Sequence, residues 1–152
     1  MKEIHSLKQL DLLDTTSDEV IKQMEKQKRK VKEYVENNGY FSIMNNTKWK
    51  ELINDIHDLK FPPAYFVKDI LSNSNPQMTS KPTYWGDWAL ELLYPCFWIE
   101  WMEIAPYYYK HRGKLIEDEL IDETKEVLEI LERNNIPYEL NGKNIIIYGY
   151  KR

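Results

Sequence analysis

CFWIEWMEI, Cys96–Ile104, is the stretch whose reading decides the fold. Apolar or aromatic side chains fill both alternating faces of it, broken by Glu100 on one face and Glu103 on the other. Successive side chains of a strand point to opposite faces, so the pattern predicts an interior strand covered on both sides for most of its length. In a regular strand Glu100 and Glu103 then point in opposite directions.

Working toward the C-terminus, Pro106 is followed by Tyr107-Tyr108-Tyr109 and a turn at Gly113. A helix is expected over roughly Leu115 to Arg133, because Ile116, Leu120, Thr124, Val127 and Leu131 recur at helical spacing and Asn134-Asn135 precedes Pro137. Its outer side would carry a run of acids from Glu117 to Glu132. The chain closes on IPYELNGKNIIIYGY, where Asn141-Gly142 between β-prone segments predicts a hairpin. Counting outward from that pair sets Tyr138 opposite Ile145 and Ile136 opposite Ile147 on one face.

Toward the N-terminus, Asp87–Tyr94 reads as a short helix ended by Pro95, and 72–83 as loop. Ala64–Leu71 is compatible with a strand or a short helix. A second helix from about Asn46 carries Trp49, Leu52, Ile53, Ile56 and Leu59 on one side. The first helix is expected to begin at a Thr16/Glu19 capping box and to end at Asn37-Asn38-Gly39. Its apolar stripe (Val20, Met24, Val31, Val35) is thin and its flanks are basic, so it should lie across a surface. The expected architecture is α+β: a small, mainly antiparallel sheet with helices packed against it and a C-terminal β-hairpin. It forms one domain, 1–152, with 1–39 as a peripheral helical arm.

Composition narrows the function. With 42% hydrophobic and 30% charged residues the chain has the material for one core. The formal charge of -4 works against phosphate binding. The aromatic-rich middle and the basic run at 22–32 lie apart in the sequence, which opposes nucleic acid stacking on a basic groove. A single cysteine, Cys96, excludes an internal disulfide, and three dispersed histidines give no zinc spacing, so no cofactor or metal is expected. No apolar run reaches bilayer length and no secretory leader is evident; the expected location is cytoplasmic.

Motifs for phosphate loops, serine nucleophiles or metal hydrolysis are absent from the sequence. Carboxylates among aromatics are what remain: Trp85, Asp87, Trp88, Glu91, Glu100, Trp101 and Glu103. Tryptophan supplies binding energy at interfaces and acids select a basic partner, so these residues are candidates for gripping another protein. They cannot all share one face if 96–104 is a regular strand. The bland alternative is that they hold the fold together. A different alternative is a small hydrolase or small-molecule binder using Asp87, Glu91 and His111 in an aromatic-lined pocket.

The segment from about Thr47 to Pro106, with Trp49, Phe61, Gly86-Asp87-Trp88, Glu91, Pro95 and Ile99-Glu100-Trp101, resembles a family of small bacterial proteins classed as a domain of unknown function. The resemblance implies a shared architecture and transfers no catalytic residue. In character alone the chain is also similar to immunity proteins, which cover the active surface of basic toxins. The expectation is a non-enzymatic module that binds a basic protein, or a second copy of this chain, and neither nucleic acid nor membrane.

Overall fold

The computed structural model describes residues 6–76 and 86–152, the side chains of residues 6–16 excepted. In chain order the elements are α1 (Ser6–Asn37), β1 (Phe41–Ser42), α2 (Asn46–His57), β2 (Ala64–Asp69), α3 (Leu90–Leu93), a 3-10 turn (Cys96–Trp98), β3 (Ile99–Ala105), β4 (Tyr107–Lys110), β5 (Glu119–Asp122), α4 (Thr124–Arg133), β6 (Glu139–Asn141), β7 (Asn144–Tyr148) and β8 (Tyr150–Lys151). The fold is α+β, as the alternation in Cys96–Ile104 implied.

Four antiparallel strands in the order β2-β3-β7-β6 form the main sheet, beside the two-stranded pairs β1-β8 and β4-β5. Register places Val67, Met102 and Ile147 in one cross-strand row and Tyr65, Ile104 and Ile145 in the next. Because side chains alternate, these rows share the inner face, where Met102, Ile104, Ile145 and Ile147 are fully buried. Trp49, Leu52, Ile53 and Ile56 of α2 and Val127, Ile130 and Leu131 of α4 close over it. Each such aliphatic side chain contributes ~1.5–3 kcal/mol by leaving water. α2 starts where expected: Asn45 caps it, accepting from the Lys48 N–H at 2.8 Å.

The central strand is shorter and less regular than its sequence suggests. Cys96–Trp98 form a 3-10 turn, and β3 begins only at Ile99. Asp69 then pairs with Ile99 and Lys68 with Trp101, which leaves Glu100 as the extra residue of a β-bulge. The bulge lets Ile99 join Met102 on the buried face in spite of their odd spacing. Gly149 packs against the bulge, its N–H donating to the Glu100 carbonyl at 2.8 Å. A Cβ at 149 would stand 2.1 Å from the Ile99 carbonyl oxygen, so only glycine fits there.

Four other expectations need correction. The predicted helix over Leu115–Arg133 is broken: Glu119–Asp122 is a strand paired with β4, and only Thr124–Arg133 is helical. Ile116 and Leu120 fit a helical period and a strand equally, and like charges four residues apart, at Asp118/Asp122 and Glu119/Glu123, weaken a helix there. The Asp87–Tyr94 helix shrinks to Leu90–Leu93, because Asp87 to Ala89 are held extended against β2.

The terminal hairpin exists, but its register is two residues away from the expected one. Leu140 faces Ile145 and Asn141 faces Asn144. Gly142, with φ 61°, is the first central residue of the turn and not the second, the Gly-first pattern of a type II′ turn. A two-residue shift preserves parity, so the same isoleucines stay inside. Finally, α1 passes straight through Thr16 from Ser6, since nothing in the preceding leucine-rich run breaks a helix. Gly39 ends the turn after it, at φ 72°.

Candidate functional site

The aromatic middle of the chain divides into a sealed part and a half-covered part. Trp88 is 2% exposed, and its indole N–H donates to the Pro63 carbonyl at 2.7 Å. Its ring lies 4.5 Å from that of Tyr65, whose hydroxyl donates to the Asp87 carbonyl at 2.6 Å. Gly86 completes this clamp: its N–H donates to Pro62, and a Cβ would lie 2.1 Å from the Pro63 oxygen. Gly86-Asp87-Trp88 therefore locks a loop to the start of β2. Trp88, a candidate anchor for a partner, is a core residue in this fold. Trp85 lies outside the described residues.

Glu100, Trp101 and Glu103 belong to the outer side of the sheet. Lys68 opposes Trp101 across the strands and donates from Nζ to Glu100 Oε1 at 2.6 Å, which draws Glu100 to the outer face. Phe66 and Ile146 flank Glu103 on the same face. Glu100 and Glu103 thus share a side, against the expectation for a regular strand, because the bulge resets the alternation. Neither carboxylate is idle. The Glu100–Lys68 side chains are only 16% and 12% exposed, and Asn144 Nδ2 donates to Glu103 Oε2 at 2.7 Å.

Asp87 and Glu91 are exposed, and Asp87 Oδ1 accepts from the Ala89 N–H at 3.1 Å. His111 sits in the β4–β5 loop with Nδ1 3.3 Å from Asp118 Oδ1. Among the described residues no hydrogen bond or ion pair joins His111 to Asp87 or Glu91. Among the same residues no group of three or more His, Cys, Asp or Glu could hold a metal ion, and no helix is long and apolar enough to cross a membrane.

A different surface combines open apolar area with acids. Tyr107, Leu120, Leu128 and Leu140, from β4, β5, α4 and β6, line a concavity of about 240 Å³. Through Asp122, Thr124 and Leu128 it runs into a wider groove of about 600 Å³ bordered by Glu126, Glu129 and Glu132. Leu120 is 49% and Leu140 64% exposed, with Ile116 beyond them at 56%. The lining holds two cations, Lys125 and Lys143, against four acids, so its field is negative.

Local chemistry explains why these groups stand where they do. Asp122, the residue before the N-cap Glu123, holds the start of α4 by accepting from the Thr124 N–H at 2.9 Å and hydroxyl at 2.6 Å. Next to it Glu123 is half-buried. Burial raises its carboxyl above the ordinary value, the neighbouring Glu126 raises it further, and a bond from the Phe61 backbone partly opposes both. Glu126 Oε2 is buried and has no hydrogen-bond partner among the described residues. Sequence reasoning missed this surface because it drew the acids as one face of a single long helix. The usable signal was the spacing of Leu120, Leu128 and Leu140 beside Asn141-Gly142, apolar residues scattered among acids and close to a turn.

The sequence model of a family of unknown function (DUF6678) matches residues 31–152. No curated protein and no solved structure matches the chain.

Proposed function

The chain belongs to the DUF6678 family of unknown function, and from that premise we propose that it is a non-enzymatic binding module whose groove between β5, α4 and β6 takes a basic, partly apolar segment of another protein. The observation that carries this reading is the pairing of exposed Leu120 and Leu140 with the acids of α4 along one continuous depression. Covering a leucine side chain contributes ~1–2 kcal/mol, and the acids speed encounter with a positive partner. Aromatic Tyr107 gives the groove a rigid wall. Asp87, Glu91 and Trp101 remain candidates for a wider contact, whereas Glu100 and Glu103 already have partners inside the fold.

In this reading the protein acts by covering a positive surface, as an immunity protein covers its toxin. A lone, buried and unpaired cysteine suits a reducing compartment, and the cytoplasm is where we place it. The test is titration with labelled peptides of alternating lysine and leucine. Glu129→Lys combined with Glu132→Lys, both exposed, should weaken binding by about tenfold or more and flatten its salt dependence, at unchanged melting temperature. Glu91→Lys should change it far less. Equal affinity of parent and double variant, or equal affinity for acidic peptides, would overturn the proposal.

A further inference from the structure

α1 is 32 residues long, about 48 Å at the helical rise. Among its described side chains, those that pack on the body lie in the last turns: Val31 is buried at 2%, and Tyr34 packs on Tyr40. From Ser17 to Lys30 every side chain is exposed except the half-covered Gln27. Val20 and Ile21, each 51% exposed, and Met24, 39%, therefore form an uncovered stripe. A helix with so little tertiary cover is marginal by itself.

The stripe has a regular period. Leu10, Leu13, Ser17, Val20, Met24, Gln27, Val31 and Tyr34 alternate spacings of three and four residues, the seam of a heptad repeat. Charge is divided along the same rod. Residues 9–21 hold four acids (Asp11, Asp14, Asp18, Glu19) and no base, whereas residues 22–32 hold six bases and one acid. Within the basic half Lys22, Lys26 and Lys30 follow one another at four-residue steps, which destabilises a lone helix.

We infer that α1 pairs with α1 of a second copy in antiparallel orientation. That arrangement sets the acidic half of each helix beside the basic half of the other; the parallel one sets like beside like. Centred near Lys22, it also pairs like with like across the seam. Val20 meets Met24 of the second copy and Ser17 meets Gln27. The seam is separate from the groove, so the two proposals stand or fall independently. The family match begins at Val31, the first of the described side chains of α1 to be buried, which makes the exposed part before it an extension of the matched unit.

Sedimentation equilibrium of the full chain should give twice the single-chain mass at tens of micromolar. Val20→Glu with Met24→Glu should return it to one, with the melting of the sheet and its helices retained. Orientation is read by mixing two single variants under mild oxidation: Ser17→Cys should crosslink to Gln27→Cys, and neither to itself. A single-chain mass at every concentration would overturn the pairing, and Ser17→Cys homodimers would overturn its direction.

Discussion

Two regions of this molecule carry acids beside large apolar side chains, and they behave oppositely. In Gly86–Glu103 the central ring and the two strand acids are engaged with their own fold, Trp88 with Pro63, Glu100 with Lys68 and Glu103 with Asn144, while Asp87 and Glu91 stay exposed. Around the groove Leu120 and Leu140 face solvent, and Glu126 has a carboxylate oxygen with no partner among the described residues. Density of aromatic residues marks where a small protein builds its core. Exposed aliphatics next to acids whose bonding is incomplete mark where something else can dock.

The comparison breaks most visibly at Trp88. Trp88→Ala removes a filled core volume and leaves the Pro63 carbonyl unpaired, so urea unfolding should show a loss of ~3–5 kcal/mol. The fraction that still folds should bind lysine–leucine peptides with parental affinity; loss of affinity without loss of stability would move the binding surface back to the tryptophans. A smaller change is expected at Glu100. Lys68 Nζ keeps its bonds to the Asp69 and Ser72 carbonyls, at 3.2 and 3.0 Å, when Glu100 is removed. Glu100→Ala should therefore cost about 2 kcal/mol, short of the full penalty for stranding a buried charge. A cost near zero would mean that the outer sheet face is as open as the groove.

The smallest effect sharpens the other side of the comparison. Glu123 holds its proton to higher pH in the folded chain than in the unfolded one. The folded state then binds more protons, and stability falls as pH rises from the ordinary value of 4.5 through the folded one. Glu123→Gln keeps an acceptor for the Phe61 backbone and does not titrate. Its melting temperature should match the parent in acid and exceed it modestly at neutral pH. An equal difference at both pH values would remove the electrostatic explanation.

Much of the fold was legible in the sequence, for local reasons. The apolar arc of α2 stands out from Trp49 to Ile56, and the isoleucines of β7 choose their own face whatever the turn does. The Leu115–Arg133 reading failed because the competing signal was not local: β5 exists only by pairing with Tyr107–Lys110, and a period of four residues does not distinguish the two states. The site was hidden for the same reason. Glu100 and Glu103 seemed divided between two faces until a bulge, stabilised by the approach of a glycine almost fifty residues away, put them together. Trp88 looked like an anchor because nothing in its neighbourhood names Pro63 as its acceptor.

Cys96 is wholly enclosed, and burial pushes its thiol up to about 12. As the only sulfhydryl in the chain it is inert to alkylating reagents while the core stays shut, and it becomes reactive when the core around it opens. The rate at which native protein takes up one equivalent of iodoacetamide is then a clock for spontaneous opening, readable by mass on unaltered material.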